Sequence, residues 1–378
     1  MWLVPALRFP EFTGEWKSVH LEDVAEFQKK RISSDLLNNN NYISTENILQ
    51  NFEGIQYSSS IPTNTNVIEY QKGDILLSNI RPYLKKVWFS DRKGGCSADV
   101  FVLRGDKCDQ HFLYYVIASD RFINYVMSGV KGVKMPRGDK NQMKKYAFSI
   151  PTNTEQRKIA KFLSMLDERI KLQNKIIEKL ETLIKGIVEL AFSHAATSNT
   201  LGCYITQISQ RNKTGKDLPV LSVSNKHGFV EQSEQFEDRI IASDDTSNYK
   251  IVDINDFAYN PARINVGSIA RLKDKECGIV SPMYICFRTS KDILPEYLEL
   301  FFKTVTFSFE VGKRLEGSVR LCLSYESLCE IVIPIISIRE QQSLVKMVTT
   351  FHSKLDVEKG FLSSYQSQKQ CLLSQMFI

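Results

Sequence analysis

Residues 131–145 carry six positive charges (Lys131, Lys134, Arg137, Lys140, Lys144, Lys145) against the single negative charge of Asp139. Glycines at 132 and 138 let the backbone approach a partner closely. Side chains of this kind grip phosphates and leave room for a contact to a base edge. A related loop, Lys313-Arg314-Leu315-Glu316-Gly317-Ser318-Val319-Arg320, occurs in the second half of the chain. Two further clusters mix cations with aromatic or amide groups: Arg81, Tyr83, Lys85 and Lys86, and then Arg263, Asn265, Arg271 and Lys273. Arginine forks onto guanine and asparagine onto adenine, each good pair giving about 1–3 kcal/mol of discrimination. The competing reading of any one of them is a solvated turn or a surface ion pair, worth about 0–1 kcal/mol. Recurrence of the basic loop in both halves favours the binding reading.

Other chemistries find little support. Asn260-Pro261-Ala262-Arg263 lacks the second proline and the aromatic of an amino-methyltransferase motif, and no glycine-rich cofactor loop precedes it. Phosphate-binding loops, paired nuclease carboxylates and nucleophile elbows do not stand out. The cysteines at 96, 108, 203, 277, 286, 322, 329 and 371 form no Cys-x-x-Cys pair, which argues for reduced cytoplasmic thiols rather than zinc. The net charge of +6 is too modest to identify a nucleic-acid binder alone. No apolar run is long enough to span a membrane. The sequence therefore reads as recognition rather than catalysis, with no metal and no cofactor expected on this chain.

The candidate loops must be positioned by something, and the chain states that scaffold twice, about 185 residues apart. Ile150-Pro151-Thr152-Asn153-Thr154-Glu155-Gln156 opens one long amphipathic stretch that ends near Phe192. Ile333-Pro334-Ile335-Ile336-Ser337-Ile338-Arg339-Glu340-Gln341 opens another that ends near Phe377. Each start reads as a capping box, Thr152-x-x-Glu155 and Ser337-x-x-Glu340, and Pro151 and Pro334 are expected to end the preceding strand. Ile159, Leu163, Leu166, Ile170, Ile177, Leu180, Ile184, Ile187 and Ala191 follow alternating steps of four and three, a heptad seam. The same stations recur at Leu344, Val348, Phe351, Leu355, Leu362, Tyr365, Lys369, Leu372 and Met376. Even the polar gap recurs, as Gln173 and Glu358, which could fix register at some expense in stability. The expected arrangement is an antiparallel coiled coil of the two helices about a pseudo-twofold axis.

The repeat extends beyond the helices. Gly73–Arg81 matches Asn255–Arg263, Ser97–Arg104 matches Ser281–Arg288, and Leu21–Val24 echoes Leu201–Tyr204. A helix then follows in both halves, expected over Gln110–Met127 and Pro295–Val311, ending at Gly129 and Gly312. The fold class is α+β: two similar mixed α/β domains separated by two long helices forming an antiparallel coiled coil, pseudo-twofold symmetric. The expected boundaries are 1–150 for the lead and first domain, 151–196 for the first helix with a polar break at 195–200, 197–333 for the second domain, and 334–378 for the second helix. Scaffold positions agree between halves while loops diverge, so two copies of one fold present two unlike surfaces. Two diverged domains can read two unrelated half-sites, where a homodimer reads a palindrome.

The spaced pair of Ile-Pro…Gln openings into a heptad helix (four residues between Pro151 and Gln156, two more between Pro334 and Gln341), each after a basic loop and led in by Arg8-Phe9-Pro10-Glu11-Phe12 and Trp16, resembles the specificity subunit of Type I restriction-modification enzymes over essentially the whole chain. The resemblance implies two target-recognition domains, each reading half of a split, asymmetric site in double-stranded DNA. It implies no catalytic activity in this subunit. It also implies two modification subunits that use S-adenosylmethionine and two restriction subunits that use ATP and Mg. Base-contacting residues are not carried over, because the loops hold no family motif. Glu155 to Phe192 would form about 57 Å of helix, enough to hold half-sites roughly 34–36 Å apart. The alternatives are a stand-alone DNA-modifying enzyme and a coiled-coil adaptor that does not touch DNA.

Overall fold

The structure is a computed structural model, and it describes residues 4–58, 60–130, 134–193, 197–225, 227–231, 246–317 and 320–378. The chain divides into two compact units. Unit 1 comprises Met1–Asn174 with Gly360–Ile378, and unit 2 comprises Lys175–Lys359.

Unit 1 holds two four-stranded sheets. One runs in the order Ala25–Phe27, Val100–Gly105, Ile75–Ser78, Val87–Phe89, and the other in the order Arg31–Ser33, Asn66–Tyr70, Gly94–Cys96, Tyr42–Ile43. Unit 2 repeats the first order as Ile205–Ile208, Ile285–Thr289, Phe257–Tyr259, Ile269–Arg271. Its second sheet runs Gly228–Glu231, Val220–Ser224, Cys277–Val280, Lys250–Asp253. Each second sheet contains one parallel pair, Tyr42–Ile43 beside Gly95–Cys96 and Val220–Leu221 beside Ile279–Val280. Alternation of apolar residues buries Ile75, Leu77, Val87 and Leu103 on one side of the unit 1 sheet, against Phe112, Val116 and Phe122. A buried carboxylate fastens the central strands of each unit. Asp74 takes a fork from Arg104 at 2.7 and 2.7 Å, and Asp256 takes one from Arg288 at 2.6 and 2.8 Å.

The first long helix spans Asn153–Ser193 and the second Ile338–Met376. The seam stations are all buried or half-buried: Ile159, Leu163, Ile177, Ile184, Leu344, Val348, Leu355, Leu372 and Met376 fully, and Leu166, Ile170, Leu180, Ile187, Ala191, Phe351, Leu362, Tyr365 and Lys369 partly. Gln173 and Glu358 are buried as well. Within unit 1 the helices run antiparallel, with Asp167 paired to Lys369 at 2.5 Å and the Arg169 guanidinium 4.9 Å from the Tyr365 ring. Within unit 2 Glu181 pairs with Lys359 at 2.8 Å. The last turn of each helix packs on the same place in a unit. Phe377 lies 5.2 Å from Phe112 in unit 1, and Phe192 lies 4.7 Å from Tyr297 in unit 2.

Several local expectations need correction. The helix expected over Gln110–Met127 is two, Gln110–Ile117 and Asp120–Ser128, and that over Pro295–Val311 is Pro295–Phe301 and Val305–Arg314. The cause is the same in each: Ser119 and Thr304 turn their hydroxyls onto the amides of Phe122 and Phe307 and so cap a new helix. Gly312 consequently lies inside a helix rather than ending one. Residues 197–200, expected as a polar break, form a strand paired with Val332–Ile335, as Lys17–His20 pairs with Ala147–Ile150. Pro334 sits within that two-stranded ribbon instead of ending it, since an edge position asks no N–H of it. Finally, only the second capping box forms. Ser337 and Glu340 exchange hydrogen bonds at 2.9 and 3.3 Å, whereas Glu155 is fully buried and accepts from Arg8 at 2.7 and 2.7 Å and from Trp16 at 3.4 Å.

Candidate nucleic-acid interface

The strand Ile75–Ser78 runs out into Asn79-Ile80-Arg81, and there the basic loop meets it. Arg81 N donates to Pro136 O at 2.8 Å and Gly138 N to Asn79 O at 3.0 Å, with Ile80 and Arg137 bridged between them. A Cβ on Gly138 would lie 2.4 Å from the Met143 methyl, so glycine permits this approach. The junction brings Arg81, Lys134 and Arg137 onto one exposed edge, with Tyr83 48% exposed beside them. Arg81 holds a left-handed backbone (φ 50°, ψ 63°), and so does Lys85 (φ 54°, ψ 42°), a conformation that costs about 1 kcal/mol or more for a residue with a side chain. Arg137 also pairs with Asp99 at 2.9 Å across an open surface.

Unit 2 repeats the junction with different residues. Leu323 N donates to Pro261 O at 3.1 Å, and Glu316 and Cys322 bridge at 2.8–3.0 Å to close the loop that carries Arg320. Gly317 takes φ 123°, where a Cβ would lie 2.3 Å from Arg320 O. Arg263, Asn265 and Arg320 are exposed.

The remaining cations have other occupations. Lys85 pairs with Asp120 at 2.6 Å, and Lys86 donates to Thr45 O at 2.7 Å, where burial first, and then Arg81, lower its pKa. Lys140 lies 4.7 Å over the Phe27 ring. Its pKa is lowered by burial first and then by Lys29 and Lys144, so the Lys29-Lys30-Arg31 run adds a cation beside it that the sequence reading had passed over. Arg271, expected among the outward cations, is only 11% exposed and bonds Glu296, Glu299 and Asn255 at 2.5–3.1 Å. Lys273 joins it on Glu299 at 2.5 Å. Burial tends to raise the Glu299 pKa, but Lys303, Lys273 and Arg271 outweigh it and hold the carboxyl below its ordinary value. Lys313 and Arg314 both pair with Glu310 at 2.8 and 2.5 Å and keep its carboxyl low through those hydrogen bonds. Five of these seven, Lys85, Arg271, Lys273, Lys313 and Arg314, are absorbed because acids sit one helical turn away or on a facing helix, which charge counts along the chain do not reveal. Lys131 lies outside the described residues.

Among the described residues, no group of three or more His, Cys, Asp or Glu could hold a metal ion. No helix among them is long and apolar enough to cross a membrane.

Each unit thus combines paired sheets with a loop junction at one edge and a stretch of long helix. Residues 13–182 match the family described as the Type I restriction modification DNA specificity domain. The chain is 24% identical over 197 residues to the Type I restriction enzyme EcoDI specificity subunit of Escherichia coli, covering 50% of this chain and 44% of that one. It is 28% identical over 194 residues to the MjaVIII specificity subunit of Methanocaldococcus jannaschii, covering 50% and 43%. The matches thus span less than half the length of these relatives. Its fold is similar to that of the S subunit of a Type I restriction-modification system from M. genitalium, with TM-score 0.60, 18% identity and 99% of both chains covered. It is also similar to a chain from a study of complex assembly and conformational transition of the type I R-M system, with TM-score 0.59, 16% identity and 96% and 97% covered. Together these findings show a chain similar to Type I specificity subunits in part of its sequence and in its fold.

Proposed function

We propose that this chain reads double-stranded DNA for a Type I restriction-modification complex, without a catalytic step of its own. The observation that carries this is the twice-made junction: in each unit a strand end bearing an arginine (Arg81, Arg263) is hydrogen-bonded to a loop bearing a second (Arg137, Arg320). Backbone bonds fix the two loops together while their side chains differ. The two units then suit two unlike half-sites of a split target. Arg81, Arg137, Arg263 and Arg320, with Lys134, Tyr83 and Asn265, make the contacts to phosphate and base edge. Two modification subunits, carrying S-adenosylmethionine, and two restriction subunits, carrying ATP and Mg, supply the chemistry, in the cytoplasm.

Phosphate contacts release counterions, so affinity falls linearly in log salt with a slope near 0.9 per contact. A mobility-shift series over salt, run on the chain assembled with modification subunits, should give a steep slope that flattens in Arg81→Ala and Arg320→Ala. A flat salt response, or binding untouched by these substitutions, would favour an adaptor role instead.

A further inference from the structure

In unit 1 the groove between the opening turns of the first long helix and the closing turns of the second is filled by the lead segment. Leu7 N donates to Gln375 O at 3.1 Å, Arg8 forks onto Glu155, and Phe9 meets Phe162 edge-on at 5.8 Å. The Lys158 ammonium pairs with Glu11 and lies 4.6 Å over Phe9. The stations 185 residues away from Gln375, Glu155, Lys158 and Phe162 are Leu190, Glu340, Ser343 and Met347. In unit 2 these four line an open groove of about 420 Å³. Leu190 is 60% and Met347 42% exposed there. The chain has little to lay in it: residues 194–196 alone separate Ser193 of the helix from Thr197 of the strand, where the first strand is preceded by a lead of residues 4–16.

We propose that this groove docks an extended segment of a partner polypeptide in which an arginine stands between an apolar residue and an aromatic one, the chemistry of Leu7-Arg8-Phe9. Glu340 supplies the carboxylate for the arginine. It is exposed, and its cap onto Ser337 uses only Oε2. Leu190, Leu344 and Met347 supply the apolar walls for the flanking residues. Ser343 in place of Lys158 removes the cation that meets Glu11, so the segment needs no acid at that station. A second copy of this chain is the poorer occupant, because its own Arg8 is committed to a fully buried Glu155, and withdrawing one partner of a buried pair strands the other.

The probe is a fluorescein-labelled peptide of residues 4–12, Val-Pro-Ala-Leu-Arg-Phe-Pro-Glu-Phe, titrated with the full chain by fluorescence polarisation. Saturable one-to-one binding is expected, weakened about tenfold or more by Glu340→Gln, because charge-assisted forks are among the stronger hydrogen bonds. Glutamine still completes a capping box, so this variant keeps its helix start. Ser343→Lys with Met347→Phe should tighten binding by recreating the unit 1 stations. Absence of saturable binding, indifference to Glu340→Gln, or a loss seen only with Glu155→Gln would overturn the proposal. Sedimentation should show no Arg8-dependent dimer; finding one would assign the groove to a second copy and overturn it equally.

Discussion

The side-chain oxygen of Gln156 accepts the backbone N–H of Asp109 at 2.8 Å while its amide nitrogen donates to Pro151 O at 2.9 Å. Exactly 185 residues on, Gln341 accepts from Leu294 N at 2.9 Å and donates to Ile336 O at 2.9 Å. One amide thus ties the start of each long helix both to the turn before it and to the helical pair behind the sheets. The glutamine of each helix-opening motif is a joint between the long helix and the sheet-bearing part of its unit.

Replacing that joint by an apolar isostere strands a buried N–H and a buried C=O. Gln156→Leu should cost about 1–3 kcal/mol for each group left unpaired, read as a lower urea midpoint. Gln341→Leu should cost a similar amount.

Arg8 and Glu155 form a pair whose carboxylate is fully buried. Arg8→Ala leaves that charge uncompensated and should destabilise by roughly 3–5 kcal/mol. Arg8→Ala combined with Glu155→Leu should recover much of the loss, since an apolar replacement removes the stranded charge. A double variant no more stable than Arg8→Ala would show that the pair does not govern this groove.

This pair also shows where sequence reading stops. Thr152-x-x-Glu155 and Ser337-x-x-Glu340 are equivalent as motifs, and the heptad stations, the matching strands and the Arg81 and Arg263 turns were all legible from spacing. The different fates of the two glutamates depend on Arg8 and Trp16, which lie more than a hundred residues away in the chain. The breaks at Ser119 and Thr304 were readable in principle, because both are N-cap residue types at equivalent stations. The absorption of Arg271 by Glu296 and Glu299 was not, because it needs a strand and a helix brought face to face.

Arg81 and Arg271 are separable on this basis. Arg81→Ala should weaken DNA binding by the complex, by about 1–3 kcal/mol for a base contact or with a salt slope smaller by about one for a phosphate contact, and leave the urea midpoint unchanged. Arg271→Ala should lower the midpoint instead. Reversal of these outcomes would mean the outward and inward cations have been assigned the wrong way round.

Glu299 makes unit 2 acid-sensitive. Its folded pKa lies below the ordinary value of 4.5, so the unfolded chain takes up the proton first. The stability it contributes is present above that ordinary value and is lost as pH falls through the lower folded one. The urea midpoint should drop as pH falls below about 4.5, and Glu299→Gln should flatten that part of the curve. Identical slopes in both proteins would remove Glu299 as the cause.

The claim that each unit reads its own half of one target is tested most directly by co-expressing the chain with its modification subunits and sequencing methylated bases across the host genome. The account predicts a single asymmetric motif in two parts with unspecified pairs between them, in which a chimaera exchanged near residue 195 changes one part and keeps the other. A continuous or palindromic motif, or a chimaera that alters both parts at once, would contradict it.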